Sequence, residues 1–350
     1  MNRKPFLMLA ALTAVAVVLT VMMDREGRED EPAGQKFIPG LAEQVNDVTS
    51  LVHRSAGETI ATLSRGDSNW TVGELDGYPA DWQRVRATLS ALAEATIVEF
   101  KTANPDYFAR LGVEDPGASG SQAAVLDVGT GEQASSIIAG DIPDLQFGQY
   151  VRRADAGQVV LIDQEFDLPD ETIDWADRQL LDLGAGLVAS VSIMHADGEV
   201  VTLSKASADD SDFSLKTLPE GRELQSVYTL NSAAGMFSML EIDDVQRDEI
   251  EAANVLAEST VTLFNGARVN AEVLTVEAVQ DDSAAGESEV TRWLRISTDL
   301  VDPDLAEEQA MEQVEGIRQR TEGWLYQVSS TRMDNLLRRN ENFLKSLDDQ

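Results

Sequence analysis

Hydrophobic and polar positions divide the chain into three regimes. From Phe6 to Met23 every residue is apolar apart from Thr13 and Thr20. At about 1.5 Å of rise per residue, such a helix would span roughly 27 Å, close to the hydrocarbon thickness of a bilayer. Arg3 and Lys4 precede the run, while Asp24, Glu26, Glu29, Asp30 and Glu31 follow it. That asymmetry predicts one pass through a bacterial inner membrane, with a cytoplasmic N-terminus and a periplasmic body. A cleaved signal peptide would need a small-x-small site, where Met22-Met23-Asp24-Arg25 stands instead. Residues 1–23 are therefore read as cytoplasmic start and transmembrane anchor, and 24–36, with Gly27, Pro32 and Gly34, as a flexible tether.

The second regime is alternation with period two, the mark of half-buried strands. It covers Val45–Val52, Glu58–Ser64, Trp70–Val72, Ala95–Lys101, Ala123–Val128, Ser135–Ala139, Phe147–Arg153 and Gln158–Asp163. Leu187–Met194 is too short to span a membrane and reads as a buried strand. The third regime is spacing by three and four. Pro79 opens a helix striped by Trp82, Val85, Leu89 and Leu92, and Pro169–Asp182 reads as a closing helix.

After Gly184-Ala185-Gly186 the pattern restarts. Gly57-Glu58 and the strand after it find an echo in Gly198-Glu199, and Trp70-Thr71-Val72 in Phe213-Ser214-Leu215. Pro79 and its helix are echoed by Pro219 with Leu224, Val227 and Leu230. Tyr150-Val151-Arg152-Arg153 resembles Trp293-Leu294-Arg295-Ile296, and Gly157–Ile162 resembles Gly323–Val328. Echoes in one order predict an internal duplication. The expected fold class is α+β: an N-terminal transmembrane helix, then two tandem units of antiparallel sheet with packed helices, at 37–183 and 187–350. The second unit replaces the tight Ala154-Asp155-Ala156-Gly157 turn by a helix at about 303–322. Asp302 is its N-cap and Pro303 its first residue; Leu305, Ala310, Val314 and Ile317 are its stripe, and Gly323 its left-handed cap. This inserted helix is the first place to look for a partner surface.

Charge and chemistry change the picture mainly by exclusion. The formal charge of −35 opposes nucleic-acid binding, which needs a basic surface. With no cysteine, the chain offers neither a disulfide framework nor a thiolate metal site. His53 and His195, the two histidines, sit just before the Gly-Glu of each echo and read as strand-end residues. Asp209-Asp210-Ser211-Asp212 and Asp281-Asp282 lack the spacing of a calcium loop and read as solvated. Arg65-Gly66-Asp67-Ser68 is ordinary turn chemistry. Tyr78, Trp82, Trp175, Trp293 and Trp324 read as core anchors before a ligand platform. No nucleophile elbow, metalloprotease helix or phosphate-binding loop is present, so no catalytic, cofactor or metal residue is assigned.

Phe37-Ile38-Pro39-Gly40-Leu41 with Val45-Asn46-Asp47-Val48 resembles members of the uncharacterised DUF4340 family. So do Trp70-Thr71-Val72-Gly73-Glu74, Gly77-Tyr78-Pro79-Ala80-Asp81, Lys101-Thr102-Ala103-Asn104-Pro105 and Ala109-Arg110-Leu111-Gly112-Val113-Glu114-Asp115. Tyr150-Val151-Arg152-Arg153 and Trp175-Ala176-Asp177-Arg178 continue the likeness, which thins after about Asp182. The resemblance implies context: relatives often accompany ABC-type permeases and auxiliary subunits similar to those of gliding-motility transporters. The expectation is a non-enzymatic, membrane-anchored periplasmic accessory or scaffold subunit of such a complex, with ABC permease and auxiliary subunits as partners. The alternative is a periplasmic module binding a glycan or envelope polymer in a cleft between the repeats. A hydrolase would need a buried carboxylate pair, which the sequence does not reveal.

Overall fold

The computed structural model describes residues 34–346, except 119, 132, 251–253, 278–289 and 305. In chain order, a helical turn α1 (Leu41–Gln44) leads to strands β1 (Ser50–Ser55), β2 (Glu58–Arg65), β3 (Trp70–Val72) and β4 (Tyr78–Pro79). Helix α2 (Trp82–Glu94) precedes β5 (Ile97–Thr102), β6 (Ala124–Thr130), β7 (Gln133–Ala139), β8 (Gln149–Arg153), β9 (Val159–Ile162) and β10 (Gln179–Leu181). There follow β11 (Val188–His195), β12 (Val200–Ser204), β13 (Ser214–Leu215), α3 (Val227–Ala234), β14 (Leu240–Glu241) and β15 (Asp244–Arg247). The chain ends with β16 (Asn254–Leu263), β17 (Ala267–Glu277), β18 (Val290–Leu300), α4 (Glu308–Thr321), β19 (Trp324–Gln327) and α5 (Ser330–Leu336).

These elements form two compact units. The first holds the described residues up to Arg65 and Gln83–Leu168; the second holds Gly66–Trp82 and everything from Pro169. Strands of the first unit run in the order β2-β1-β6-β7-β8-β9-β5, paired antiparallel. In the second unit β12-β11-β16-β17-β18-β19-β15 repeats that order, with β13 added beyond β12. The registers correspond too. Arg152 lies opposite Val159 and Val151 opposite Val160, while Arg295 lies opposite Leu325 and Leu294 opposite Tyr326. Turn chemistry fixes the first hairpin. Ala56 and Gly57 both have positive φ, 51° and 86°, the twist that suits a tight loop between antiparallel strands.

Alternation sends one face of each sheet inward. In the first unit Phe108, Val113, Ala123, Val125, Ile138 and Val159 form a buried cluster, and α2 presents Val85, Leu89 and Leu92 at helical spacing. In the second, Leu274, Trp293 and Leu325 pack together. Tyr78 is buried with its ring edge-on to Trp324, centroids 5.0 Å apart, and to Tyr326 at 6.2 Å. Burial, with nearby Asp177 adding to it, pushes the Tyr78 hydroxyl up to about 12, since a phenolate is costly away from water. The segment carrying Tyr78 thus folds as part of the second unit.

The expected fold class needs correction. The described residues are mostly antiparallel sheet with few helices, where α+β units and a transmembrane helix were expected. Pro169–Asp182 is no helix: Trp175 ends a single 3-10 turn, Thr172–Trp175, and Leu180-Leu181 lie in β10, which pairs with β14. Pro79 belongs to β4, and α2 starts at Trp82. The Pro219 helix begins only at Val227, where the Ser226 hydroxyl accepts from the Tyr228 N–H, as an N-cap does. Asp302 caps a turn, accepting from the Asp304 N–H, and the inserted helix starts at Glu308; Leu305 lies outside the described residues.

The placement in the membrane is corrected as well. Among the described residues no helix is long and apolar enough to cross a bilayer. The longest of them, α4, has 14 residues and is amphipathic. Its length is about 21 Å against the roughly 30 Å that a bilayer core requires. Phe6–Met23 lies outside the described residues, so the expected single-pass inner-membrane anchor has no supporting helix.

Candidate functional site

The residues singled out by sequence are mostly absorbed by the fold. His53 and His195 are buried, at 1% and 4% exposure, rather than exposed strand ends. Nor are they equivalent. Ser50 opposite Ser64 recurs as Ser190 opposite Ser204, so His53 opposite Ala61 corresponds to Ile193 opposite Val201. The His195 Nε2–H donates to the Arg338 carbonyl at 3.1 Å, tying β11 to the turn after α5. Arg65-Gly66-Asp67-Ser68 is a turn, closed by the Gly66 N–H on the Asn69 carbonyl at 2.8 Å. Asp209–Asp212 is exposed, with the Asp210 carboxylate accepting the Ser207 and Ala206 N–H groups; Asp281-Asp282 lies outside the described residues. Trp175, Trp293 and Trp324 are buried, but Trp82 is 54% exposed and anchors nothing. Among the described residues no group of three or more metal-ligating side chains comes together.

Several charged side chains fasten the fold. At corresponding positions of β8 and β18, Arg152 and Arg295 each hold the segment that follows the outermost strand beyond β9 or β19. Arg152 donates to the Val113 carbonyl at 3.1 and 3.2 Å, pairs with Asp115 at 2.5 Å, and lies 4.6 Å from the Phe108 ring centroid. Arg295 forks onto both oxygens of Asp248, at 2.5 and 2.8 Å, and reaches Glu272 at 2.9 Å. Those bonds hold the Asp248 carboxyl below its usual range and raise the arginine, as charge-assisted forks do. Glu199 is likewise lowered, first by the Asn340 N–H at 2.8 Å and then by Arg339.

What remains unabsorbed is a loop of the first unit, 140–148, between β7 and β8. It carries Ile142, Leu145 and Phe147 at 52%, 100% and 70% exposure. Apolar side chains so open normally signal a surface that another molecule covers. The loop base is braced from several sides. Gly140 N–H donates to the Tyr150 carbonyl at 2.8 Å, Tyr150 N–H to Asp141, and Asp141 N–H to Leu111 at 2.9 Å. The buried Gln149 side chain donates to the Gly140 carbonyl at 2.8 Å and accepts from the Phe166 N–H at 2.9 Å. Gly148 turns the chain at φ 119°, a conformation that glycine adopts without strain. Any side chain there would meet the Ile162 carbonyl oxygen, 2.0 Å from an ideal Cβ. Asp141, just before Ile142, and Asp144, just before Leu145, are interspersed with the three apolar groups and are exposed. The geometry presents an apolar tip with an acidic surround, suited to an apolar groove rimmed by basic residues.

Sequence reasoning missed this loop because Leu145 and Phe147 alternate like the start of a strand. The signal that could have found it is Gly148, which interrupts that strand. A family model described as Domain of unknown function (DUF4340) matches residues 70–258, over half of the 350-residue chain, and extends well past Asp182. No curated protein and no solved structure matches the chain.

Proposed function

The chain belongs to the DUF4340 family, and from that premise we propose that it is a non-enzymatic accessory subunit that docks onto an ABC-type transport complex. The observation that carries this reading is the braced loop with Ile142, Leu145 and Phe147 exposed. Rigid support lowers the ordering cost of binding, and three neighbouring apolar groups supply a desolvated centre of the kind that dominates interface energies. The acidic flank gives the contact its polarity: a basic rim on the permease or an auxiliary subunit would steer approach and set register. The transporter context comes from the family resemblance and is association rather than mechanism.

The test is affinity capture of the tagged full-length chain from its native cells, with in-cell cross-linking and mass spectrometry. Recovery of an ABC permease with its ATPase is expected, with cross-links concentrated near residues 140–148. The double substitution Leu145→Asp, Phe147→Asp should abolish that recovery while leaving the unfolding midpoint unchanged, since both side chains are already in water. Recovery of the chain alone, where other membrane complexes survive, would sink the proposal. So would capture indifferent to the double substitution.

A further inference from the structure

The second unit contains a pocket for which the first has no material. In the first unit, β8 and β9 are joined by the short turn Ala154–Gln158; in the second, the corresponding strands β18 and β19 are joined through α4. That helix packs against β18 and β17 and borders a half-open pocket of about 430 Å³. Leu187, Leu263 and Phe264 form its apolar walls, and Asn265, Gln309 and Gln313 its polar edge. We propose that this cavity is a binding site for a small neutral ligand with an apolar body and one hydrogen-bonding edge.

The volume falls within the range of small-molecule sites, and the lining has their usual composition of apolar walls with a few directed polar groups. Neutrality follows from the charges around it. No lining residue is ionisable, in a chain of formal charge −35. A cationic ligand would seek the face of Phe264. Lys205 already stands 5.7 Å from that ring's centroid, as well as 5.2 Å from Phe213. An anion would meet three negative charges, Asp209, Asp210 and Asp212, on the same loop as the lining residue Ala208, against the single positive charge of Lys205. The polar edge is preset. Asn265 accepts from the Ala267 N–H at 3.1 Å and donates to the Gln313 side-chain oxygen at 2.9 Å. That bond orients the Gln313 amide and leaves its N–H groups, with the Gln309 amide beside them, for a carbonyl or hydroxyl of the ligand.

Phenylnaphthylamine, neutral and fluorescent in apolar surroundings, is the probe, and anilinonaphthalene sulfonate is its charged counterpart on a similar ring system. Titrated into the full chain, the neutral probe should give a saturable one-to-one signal, with the sulfonate at least tenfold weaker. Ala208→Trp, from an exposed lining position, should fill the pocket and weaken the neutral probe at least tenfold without moving the unfolding midpoint. Gln309→Trp, on the exposed face of α4, does the same from the other wall if the first variant folds poorly. Absence of saturable binding would overturn the proposal. So would equal affinity for the sulfonate, or binding that both substitutions leave intact. None of these outcomes bears on the 140–148 loop, so the two readings fail separately.

Discussion

Replacing Arg152 by methionine should destabilise the first unit far more than removing its ion-pair partner. The side chain is 4% exposed, whereas Asp115 is 72% exposed. In the variant the Val113 carbonyl, inside the core, loses both donors. An unsatisfied buried acceptor costs about 1–3 kcal/mol. The weaker bond to the Ala156 carbonyl and the stacking on Phe108 add about 1 kcal/mol together. Methionine keeps much of the aliphatic packing, so the net loss is about 3 kcal/mol. Asp115→Asn, by contrast, opens a position that water fills and should cost no more than about 1 kcal/mol. Urea unfolding separates the two. With a slope of about 2 kcal/mol per molar, Arg152→Met lowers the midpoint by about 1.5 M and Asp115→Asn by about 0.5 M or less. Far-UV circular dichroism is the readout, because all five tryptophans lie in the second unit. Equal shifts for the two variants would refute the reasoning and make the exposed ion pair, rather than the carbonyl cradle, what holds the segment.

Two further outcomes follow from the geometry. Gly148→Ala combines a positive φ with a Cβ 2.0 Å from the Ile162 oxygen, and should cost about 3 kcal/mol in thermal unfolding. Gly131→Ala, at φ 62° with open space around it, should cost about 1 kcal/mol. A smaller loss at Gly148 than at Gly131 would show that the loop base yields easily. Because Arg295 lowers the Asp248 carboxyl, stability from that pair is fully present above the unfolded value of about 3.9 and is lost as pH falls through the folded value. The gap in urea midpoint between the wild type and Asp248→Asn should therefore be fully open at about pH 7 and narrow progressively as pH falls below about 3.9; a gap that does not narrow there would count against the linkage.

Much of the strand pattern was legible because a half-buried strand writes its burial into alternate residues. Val159–Ile162 and Val188–His195 are read within a residue or two of their ends. The echo of Tyr150–Arg153 in Trp293–Ile296 falls on strands with the same place in both sheet orders, because register depends on which face is apolar. Helix boundaries read less well. Asp302-Pro303 has the chemistry of a helix start, yet its carboxylate is satisfied within a turn and the helix begins later. The histidines were misaligned because a β-bulge between His53 and Arg54 shifts the register of β1 against β2, which periodicity does not report. Candidate surfaces were the least legible. A loop tip and a pocket depend on which residues the tertiary structure leaves uncovered, and Leu145 differs from a core leucine only in that.

Tyr78 has a consequence in time as well as in space. A ribosome releases the chain from its N-terminus, and domains ordinarily condense as they emerge. Here Gly66–Trp82 emerges before the rest of the second unit to which it belongs, and the aromatic neighbours of Tyr78, Trp324 and Tyr326, follow it far along the chain. The nascent chain must therefore carry Tyr78 without those aromatic neighbours until the strand that bears them has been made, an apolar handle for a chaperone or for a neighbouring copy on the same message.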